Sequence, residues 1–301
     1  RDMVALFVLL ALGGLVVMVF AHRHGPWVDA SGVEQIAAAR NFAWGNGLTV
    51  PTAGGNDLPY GFEPPLYSLL LSLVFWLNLD PCIMLSAFNV LLFGAILFLL
   101  SWGLWKVTDS LLMALGITLL FSVSPNLIRN FDSATSYGLL ISLVVANLVC
   151  LSIYFQQENR RPYLLAILTA VLAFFTDFTG AATIIAGFIV ILIFSEKAFW
   201  RRVLFAGIYA FGAALPLIVW QVVQLFQPAQ PEMRAMAISM TFRDALSTYL
   251  TQVVNTFVQW LPGEPGWLGA WLQTQGAFFT IGVLSLGLFG LFIWRYITHK
   301  D

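Results

Sequence analysis

Long apolar runs alternate with shorter polar segments along most of the chain. A stretch of about 20 apolar residues is long enough to cross the hydrocarbon core of a bilayer as a helix. The pattern predicts an all-α, polytopic membrane protein with about eight transmembrane helices. The predicted spans are 3–21, 82–105, 110–128, 137–155, 163–176, 178–195, 203–225 and 276–294.

Two apolar runs depart from the ordinary span length. A helix over 64–79 would measure roughly 24 Å, short of a hydrocarbon core of about 30 Å. We predict that this helix lies on the membrane surface or dips into it, with a short span as the alternative. Residues 163–195 are too long for one ordinary span, and Asp177 interrupts them. We therefore predict two short helices there.

Two large polar stretches, 22–81 and 226–275, are predicted to be outer loops. The first contains a helix-compatible run, 31–44. The second contains MTFRDALSTYLTQVVNTFVQWL, whose apolar residues recur at helical spacing and predict an amphipathic helix at the membrane interface. No separate soluble domain is predicted, so residues 1–301 are expected to form a single membrane domain.

The basic residues indicate the orientation of the chain. If 64–79 does not cross the membrane and the N-terminus is cytoplasmic, nine of the 14 basic residues fall on the cytoplasmic side, close to span ends. This distribution satisfies the positive-inside rule. We predict a multi-pass protein integral to the cytoplasmic membrane, with a cytoplasmic N-terminus. The nine residues are Arg1, Lys106, Arg160, Arg161, Lys197, Arg201, Arg202, Arg295 and Lys300.

Composition supports the membrane class and narrows the chemistry. Hydrophobic residues make up 59% of the chain and charged residues 10%, against about 25% charged in soluble domains. The net charge of -1 argues against a nucleic-acid partner. Cys82 and Cys150 both lie in apolar runs and are expected to be buried small hydrophobes. The sequence contains no P-loop, GxSxG, HExxH or CxxC motif.

Carboxylates from separate segments are predicted to meet on the outer face. Asp29 precedes the helix-compatible run, Asp132 lies in SPNLIRNFDSATS, and Asp177 lies in TDFTG. Such groups can act as general bases or hold a divalent metal. The alternative for Asp29 is capping of the following helix, whose first turn would then contain Glu34. For Asp177 the alternative is a loop at the membrane edge.

Arginines supply the positive charge on the same predicted face. Arg40 and Arg129 can bind an anionic headgroup or a phosphate, with surface anchoring as the alternative. His22 and His24 are interpreted as interfacial residues, and no metal site is assigned. The cofactor is not identified by the sequence; a divalent metal is the one option that the carboxylates leave open.

The segments follow one another in a characteristic order. One span precedes a loop of the form D…ARNFAWGNGLTVP…G…PPLYSLLL, and SPNLIRNFDSATS, TDFTG and ALPLIVWQ follow. This order resembles the C-type superfamily of integral-membrane glycosyltransferases. It is similar to the dolichyl-phosphate-mannose protein mannosyltransferases and to the bacterial aminoarabinose lipid A transferases. The similarity extends over most of the chain and implies a divergent or truncated member.

The resemblance implies a reaction on the outer face. A polyprenyl-phosphate sugar donor would lie in the membrane, and its phosphate would be the leaving group, helped by a metal or by basic residues. Asp29 matches the carboxylate that acts on the acceptor as base or orienter. Leu66 and Tyr67, after a proline pair, match the superfamily's juxtamembrane helix. We assign Asp29 and Asp132 as catalytic, and Glu34, Arg40, Glu63, Tyr67, Arg129 and Asp177 as substrate-binding.

Three positions depart from the superfamily pattern. Tyr137 stands where many relatives have an acid, and Glu63 and Asp177 stand where they have a basic residue. These departures motivate a second hypothesis, a non-catalytic membrane subunit that binds lipid or a partner complex. A transporter is a third, although the break at 176–180 has no counterpart in another half of the chain. The expected partners are the lipid-linked donor, membrane lipids and other membrane subunits.

Overall fold

A mostly helical architecture is seen in the computed structural model of the chain. It describes residues 2–21, 26, 28–51, 57–59, 64–157, 159–195 and 198–226, all within one unit, Arg1–Ala229. The helices are α1 (Asp2–Ala21), α2 (Ala30–Ala43), α3 (Leu66–Trp76), α4 (Pro81–Thr108), α5 (Leu111–Ser122), α6 (Pro125–Asp132), α7 (Tyr137–Gln157), α8 (Arg160–Thr176), α9 (Ala181–Phe194) and α10 (Phe199–Phe226).

Helices α4 and α7 are long and apolar enough to cross a membrane, judged by length and composition. They contain 28 and 21 residues, which correspond to about 42 and 32 Å. Large apolar side chains are also exposed on other helices, among them Leu112 at 83% on α5 and Trp200 at 79% on α10. An exterior of this kind favours association with lipid.

The break in the run 163–195 is confirmed. Helix α8 ends at Thr176, a 3-10 turn covers Phe178–Gly180, and α9 begins at Ala181. Asp177 forms the joint, since it follows the last residue of α8 and its side chain accepts a hydrogen bond from the backbone N–H of Thr179 at 2.8 Å.

The predicted span 110–128 is wrong as one continuous helix. Helix α5 ends at Ser122, and α6 begins separately at Pro125. Proline disfavours helical geometry in the residue before it, here Ser124, and its ring suits the first position of a new helix. Ser124 has extended backbone geometry accordingly (φ −69°, ψ 116°).

A short antiparallel hairpin adds β structure that the all-α prediction omitted. Its strands, β1 (Thr49–Pro51) and β2 (Asp57–Pro59), pair with Val50 opposite Leu58. The hairpin connects α2 to α3, and the side-chain amide of Asn41 donates to the carbonyl and hydroxyl oxygens of Thr49, both at 3.1 Å. Each strand is only three residues long, too short for a clear alternating pattern.

The run 64–79 contains a helix as predicted, but only 11 residues long. Helix α3 begins after the proline pair and measures about 16 Å, too short to cross a hydrocarbon core. It packs against α2 through a cluster that also includes side chains from α4 and α7. The cluster consists of Ala39, Tyr67, Leu71, Leu85, Ala134 and Leu139.

A second part of the core joins α7, α8, α9 and α10. Its polar centre is Asn147, whose side-chain amide donates to the backbone oxygen of Ala166 at 2.6 Å and to the hydroxyl of Thr169 at 3.1 Å. The hydroxyl of Tyr209 donates to the side-chain oxygen of Asn147 at 3.2 Å. Buried polar groups are normally paired, and these pairs link the three helices α7, α8 and α10 through one side chain.

One expectation about the cysteines is wrong. Cys82 is exposed in the first turn of α4, where its backbone N–H is capped by Asp80, and Cys150 is half-buried. The predicted span 276–294 and the interfacial helix within 226–275 lie outside the described residues, as do Glu63, His22 and His24.

Candidate functional site

Asp29 caps the start of α2. Its carboxylate oxygen accepts a hydrogen bond from the backbone N–H of Gly32 at 2.8 Å, and its backbone is extended, as the residue before a helix usually is. The capping interpretation of Asp29 is therefore confirmed. The side chain is nevertheless exposed, so one carboxylate both starts the helix and faces the surroundings.

The first turn of α2 lies directly against the segment that joins α6 to α7. We call this segment, residues 133–136, the central linker. A methyl group on Gly32 would lie 2.7 Å from the backbone oxygen of Ala134, closer than a real side-chain carbon approaches an oxygen. Only glycine permits this approach without a shift of the backbone. The contact brings the start of α2 to the residues that follow Asp132.

The central linker is held in place by buried polar groups. The Ser133 hydroxyl donates to the backbone oxygen of Asn130 at 2.9 Å and lies 2.7 Å from the hydroxyl of Thr135. From α4, the side-chain amide of Asn89 donates to the backbone oxygen of Ser133 at 2.9 Å. A segment tied at its first and third residues gives the neighbouring Asp132 a defined position.

Asp177 reaches the other end of the central linker. One oxygen of its carboxylate accepts bonds from the backbone N–H and the hydroxyl of Thr179, at 2.8 and 2.7 Å. Its other oxygen accepts a bond from the hydroxyl of Ser136 at 3.5 Å. Ala134 and Ser136 are two residues apart, so at most about 7 Å of chain separates the contacts made by Gly32 and Asp177.

Two hydroxyl groups are buried on α3, which packs beside the central linker. Tyr67 is 1% exposed and Ser68 is fully buried, and neither hydroxyl has a hydrogen-bond partner among the described residues. Burial raises the pKa of Tyr67, so its hydroxyl stays protonated. The side-chain oxygen of Asn89 also lacks a partner in the described part of the chain. Unpaired buried polar groups are rare in folded proteins, and each calls for an explanation such as a catalytic role or a bound water or ion.

The remaining predicted residues are spread more widely. Glu34 is exposed on α2, two residues after Gly32; its predicted place in the first turn is wrong, because the helix begins at Ala30 and Glu34 is its fifth residue. Arg129 is exposed on α6, one turn before Asp132, which is partly buried. Arg40 lies in the last turn of α2, 11 residues or about 16 Å along the axis from Asp29, with its guanidinium 5.1 Å from the ring of Trp44.

The described residues offer no ligand set for a divalent metal. No group of three or more His, Cys, Asp or Glu side chains is found among them at a spacing that could hold an ion.

An open apolar groove lies elsewhere, between the first half of α1 and α5. Leu6 and Leu10 line one side, and Leu112, Leu115 and Leu119 line the other. The groove lies at the N-terminal half of α1, whereas Asp29 comes after its C-terminal end. The groove is therefore separate from the carboxylates beside the central linker. Its lining suits a hydrocarbon chain.

Sequence reasoning missed Gly32, Ser68, Asn89 and Ser136. Asn89 carried a usable signal, because an amide inside a long apolar run is costly unless it is paired. Gly32 was visible as a helix-disfavouring residue in the first turn of a predicted helix. Ser68 and Ser136 carried no signal of their own.

No match was found for this chain among protein-family models, curated proteins or solved structures.

Proposed function

We propose that the chain is a membrane glycosyltransferase. It transfers a sugar from a polyprenyl-phosphate donor to an acceptor on the outer face of the membrane. The observation that carries the proposal is the meeting of three segments at the central linker. The start of α2 with Asp29 and the α8–α9 joint with Asp177 both contact the four residues that follow Asp132, although the three segments are distant in sequence.

The proposal places the chain in the cytoplasmic membrane, with about eight spans and a cytoplasmic N-terminus. It is supported by the apolar helices α4 and α7, by the division between α8 and α9, and by the clustering of basic residues at alternate span ends. In this orientation α2, α3 and the central linker all lie on the outer side. A donor phosphate at the outer headgroup level would then be within their reach.

The proposed chemistry is a displacement at the anomeric carbon of the donor sugar. An acceptor hydroxyl oxygen forms a bond to that carbon, and the carbon–oxygen bond to phosphate breaks. The electron pair leaves with the polyprenyl phosphate, and the acceptor proton passes to Asp29, an exposed carboxylate. Asp132, partly buried beside the central linker, is the second catalytic carboxylate of the proposal.

The substrate-binding roles follow from position. The buried hydroxyl of Tyr67 is a neutral donor for a sugar or phosphate oxygen. Asp177 holds the end of the central linker at Ser136, two residues beyond the contact made by α2. Glu34 and Arg129, both exposed, are placed to contact the polar parts of donor or acceptor. Glu63 keeps its predicted substrate-binding role as part of the proposal, whereas Arg40, in the last turn of α2 and about 16 Å from Asp29 along the axis, is left outside the substrate site.

The decisive variant is Asp29→Asn. Asparagine caps helices as well as aspartate does, so the bond to Gly32 and the stability should be retained while the base is lost. Loss of a general base lowers turnover by about 10²- to 10⁴-fold. Asp80→Asn is the matched control, because Asp80 also caps a helix, through the backbone N–H of Cys82 at 2.8 Å, but lies outside the site.

The assay incubates purified protein with radiolabelled polyprenyl-phosphate sugars and membrane lipid, glycan or peptide acceptors. We expect transfer by the unsubstituted protein and by Asp80→Asn, and a loss of at least about 100-fold in Asp29→Asn. Equal turnover in the two variants would remove Asp29 from catalysis. No transfer by the unsubstituted protein with any acceptor class would contradict the proposed function.

A second candidate function is a non-catalytic membrane subunit on the same scaffold. The observation that favours it is that Asp29 and Asp177 both accept hydrogen bonds that cap local structure. Such a subunit would co-purify with a larger complex and show no transfer. Isolation of the chain as an active protein on its own would exclude this function.

A further inference from the structure

The C-terminal ends of α2 and α3 together expose a surface of large apolar side chains. Trp44 is 65% exposed, Trp76 57%, Leu77 67% and Leu73 47%. Leu73, Trp76 and Leu77 are spaced three and four residues apart, so they share one side of α3. We call these four residues the outer aromatic face. It lies away from Tyr67 and Ser68, which are buried on the other side of the same helix.

The tryptophans of this face are held in place although they are exposed. The indole N–H of Trp76 donates to the backbone oxygen of Ala43 at 3.0 Å, and its ring stacks on Phe42 with centroids 6.2 Å apart. Trp44 follows Ala43 directly and lies under the guanidinium of Arg40. An ordered exposed ring loses little conformational entropy when it binds, because its side-chain torsions are already fixed.

The apolar surface continues from this face onto α4. Leu77 is followed by Leu79, 39% exposed, and by Asp80, which caps α4. Helix α4 then exposes Ile83 at 66% and Leu91 at 65%, and it is long enough to cross a bilayer. The outer aromatic face thus lies where the surface of a candidate span begins. Tryptophan concentrates at this level because its ring is apolar and its N–H is polar.

Arg40 adds a charge to the face. Its guanidinium lies 5.1 Å from the centre of the Trp44 ring, and its Nε is buried without an acceptor among the described residues. An arginine with no acceptor for its Nε in the described part of the chain, beside an exposed aromatic ring, suits a planar anionic group, since the guanidinium binds phosphate through two parallel hydrogen bonds.

We propose that the outer aromatic face docks on the headgroup layer of the bilayer and that Arg40 binds the phosphate of an anionic phospholipid there. The occupant is a membrane lipid and not the sugar donor, since Arg40 is about 16 Å along α2 from Asp29. The docking fixes α2 and α3 at the membrane surface. It does not depend on whether the chain transfers a sugar.

The test measures how close residue 77 lies to lipid and which lipid it prefers. The full chain carries Leu77→Cys in a background of Cys82→Ser and Cys150→Ser, is labelled with a fluorophore, and is reconstituted in nanodiscs of phosphatidylcholine and phosphatidylglycerol. Quenching by lipids with a nitroxide near the headgroup is compared with quenching by aqueous iodide. We expect the lipid nitroxide to dominate. Dominant quenching by iodide would overturn the docking.

Lipid preference is measured by placing the same nitroxide on either phospholipid. We expect phosphatidylglycerol to quench about fivefold more effectively than phosphatidylcholine, the factor expected for one arginine at an anionic surface. Arg40→Gln should abolish the preference, whereas the control Arg129→Gln, an exposed arginine on α6, should retain it. An equal preference in Arg40→Gln and the unsubstituted protein would overturn the assignment of Arg40.

Two further measurements use the unsubstituted, labelled protein, so they test the assignment of Arg40 even if Arg40→Gln does not fold. The preference of the unsubstituted, labelled protein should fall when salt is raised from about 0.05 to about 0.5 M, because the contact lies at the surface. A preference that does not change with salt would contradict an ionic contact. Millimolar inorganic phosphate should leave the preference intact; its loss would show that Arg40 binds free phosphate and would overturn the lipid assignment.

Discussion

The contact between Gly32 and the central linker gives the sharpest prediction about the site. A methyl group added at Gly32 would lie 2.7 Å from the backbone oxygen of Ala134 and 3.3 Å from a carboxylate oxygen of Asp29. Ordinary contact begins near 3.4 Å, so the linker or α2 must move by several tenths of an ångström. The nearest atom belongs to the backbone and not to a flexible side-chain end, and the linker is also tied to Asn89.

The expected change in the free energy of unfolding of Gly32→Ala is the difference between a packing cost and a gain in helix stability. Forcing an extra methyl group into a packed contact costs about 1–3 kcal/mol, and a backbone neighbour favours the upper part of that range. Replacing glycine by alanine inside a helix stabilises the helix by about 1 kcal/mol. Gly32→Ala should therefore lower the free energy of unfolding by about 1–2 kcal/mol.

Gly116→Ala is the matched control. Gly116 lies within α5 and a methyl group added there meets no atom within 4 Å, so only the helical gain of about 1 kcal/mol applies. The two variants should differ by about 2–3 kcal/mol, or about 3–5 °C in unfolding temperature for a chain of 301 residues. Thermal unfolding of the purified proteins in one detergent measures this. Equal unfolding temperatures, or a higher one for Gly32→Ala, would refute the close approach of α2 to Ala134.

Three further predictions concern buried groups. Tyr67→Phe removes an unpaired hydroxyl and should raise the free energy of unfolding by about 1–3 kcal/mol while weakening donor binding, measured by unfolding temperature and by the Michaelis constant for the donor. Asn147→Ala should cost about 2–5 kcal/mol because three hydrogen bonds are lost, two of them buried, whereas Tyr209→Phe, which removes one of the three, should cost about 1 kcal/mol in the same assay. Gly180→Ala should cost at least about 3 kcal/mol, since its methyl group would overlap the backbone of Ala173, and normal expression and unfolding would contradict the tight joint.

The helices were predictable where one physical pattern dominated. Long apolar runs gave α1, α4, α7 and α10, because helices expose no unpaired backbone groups to an apolar environment. Asp177 marked the break between α8 and α9, since a carboxylate inside an apolar helix is costly.

Local exceptions were harder to predict than the helices. The division of α5 from α6 at Pro125 was present in the sequence but was outweighed by the apolar composition around it. The hairpin β1–β2 could not be predicted because its strands are too short to alternate.

The site was predictable as a set of residue types but not as a set of contacts. Asp29, Asp132 and Asp177 could be selected because a charged group near an apolar bundle is costly unless it is paired or functional. The contacts between Gly32 and Ala134 and between Ser136 and Asp177 join residues far apart in sequence. No local pattern encodes such pairs, which arise only when the helices have packed.

The bond between Ser136 and Asp177 also has a mechanical consequence. The backbone oxygen of Ser136 accepts the first hydrogen bond of α7, from Leu140 at 2.9 Å, while its hydroxyl holds the carboxylate that begins the turn before α9. One serine thus connects the start of α7 to the start of the turn that precedes α9. A tilt of α7 would therefore displace the Asp177 carboxylate, so a movement of this helix would change the position of an acidic group beside the central linker.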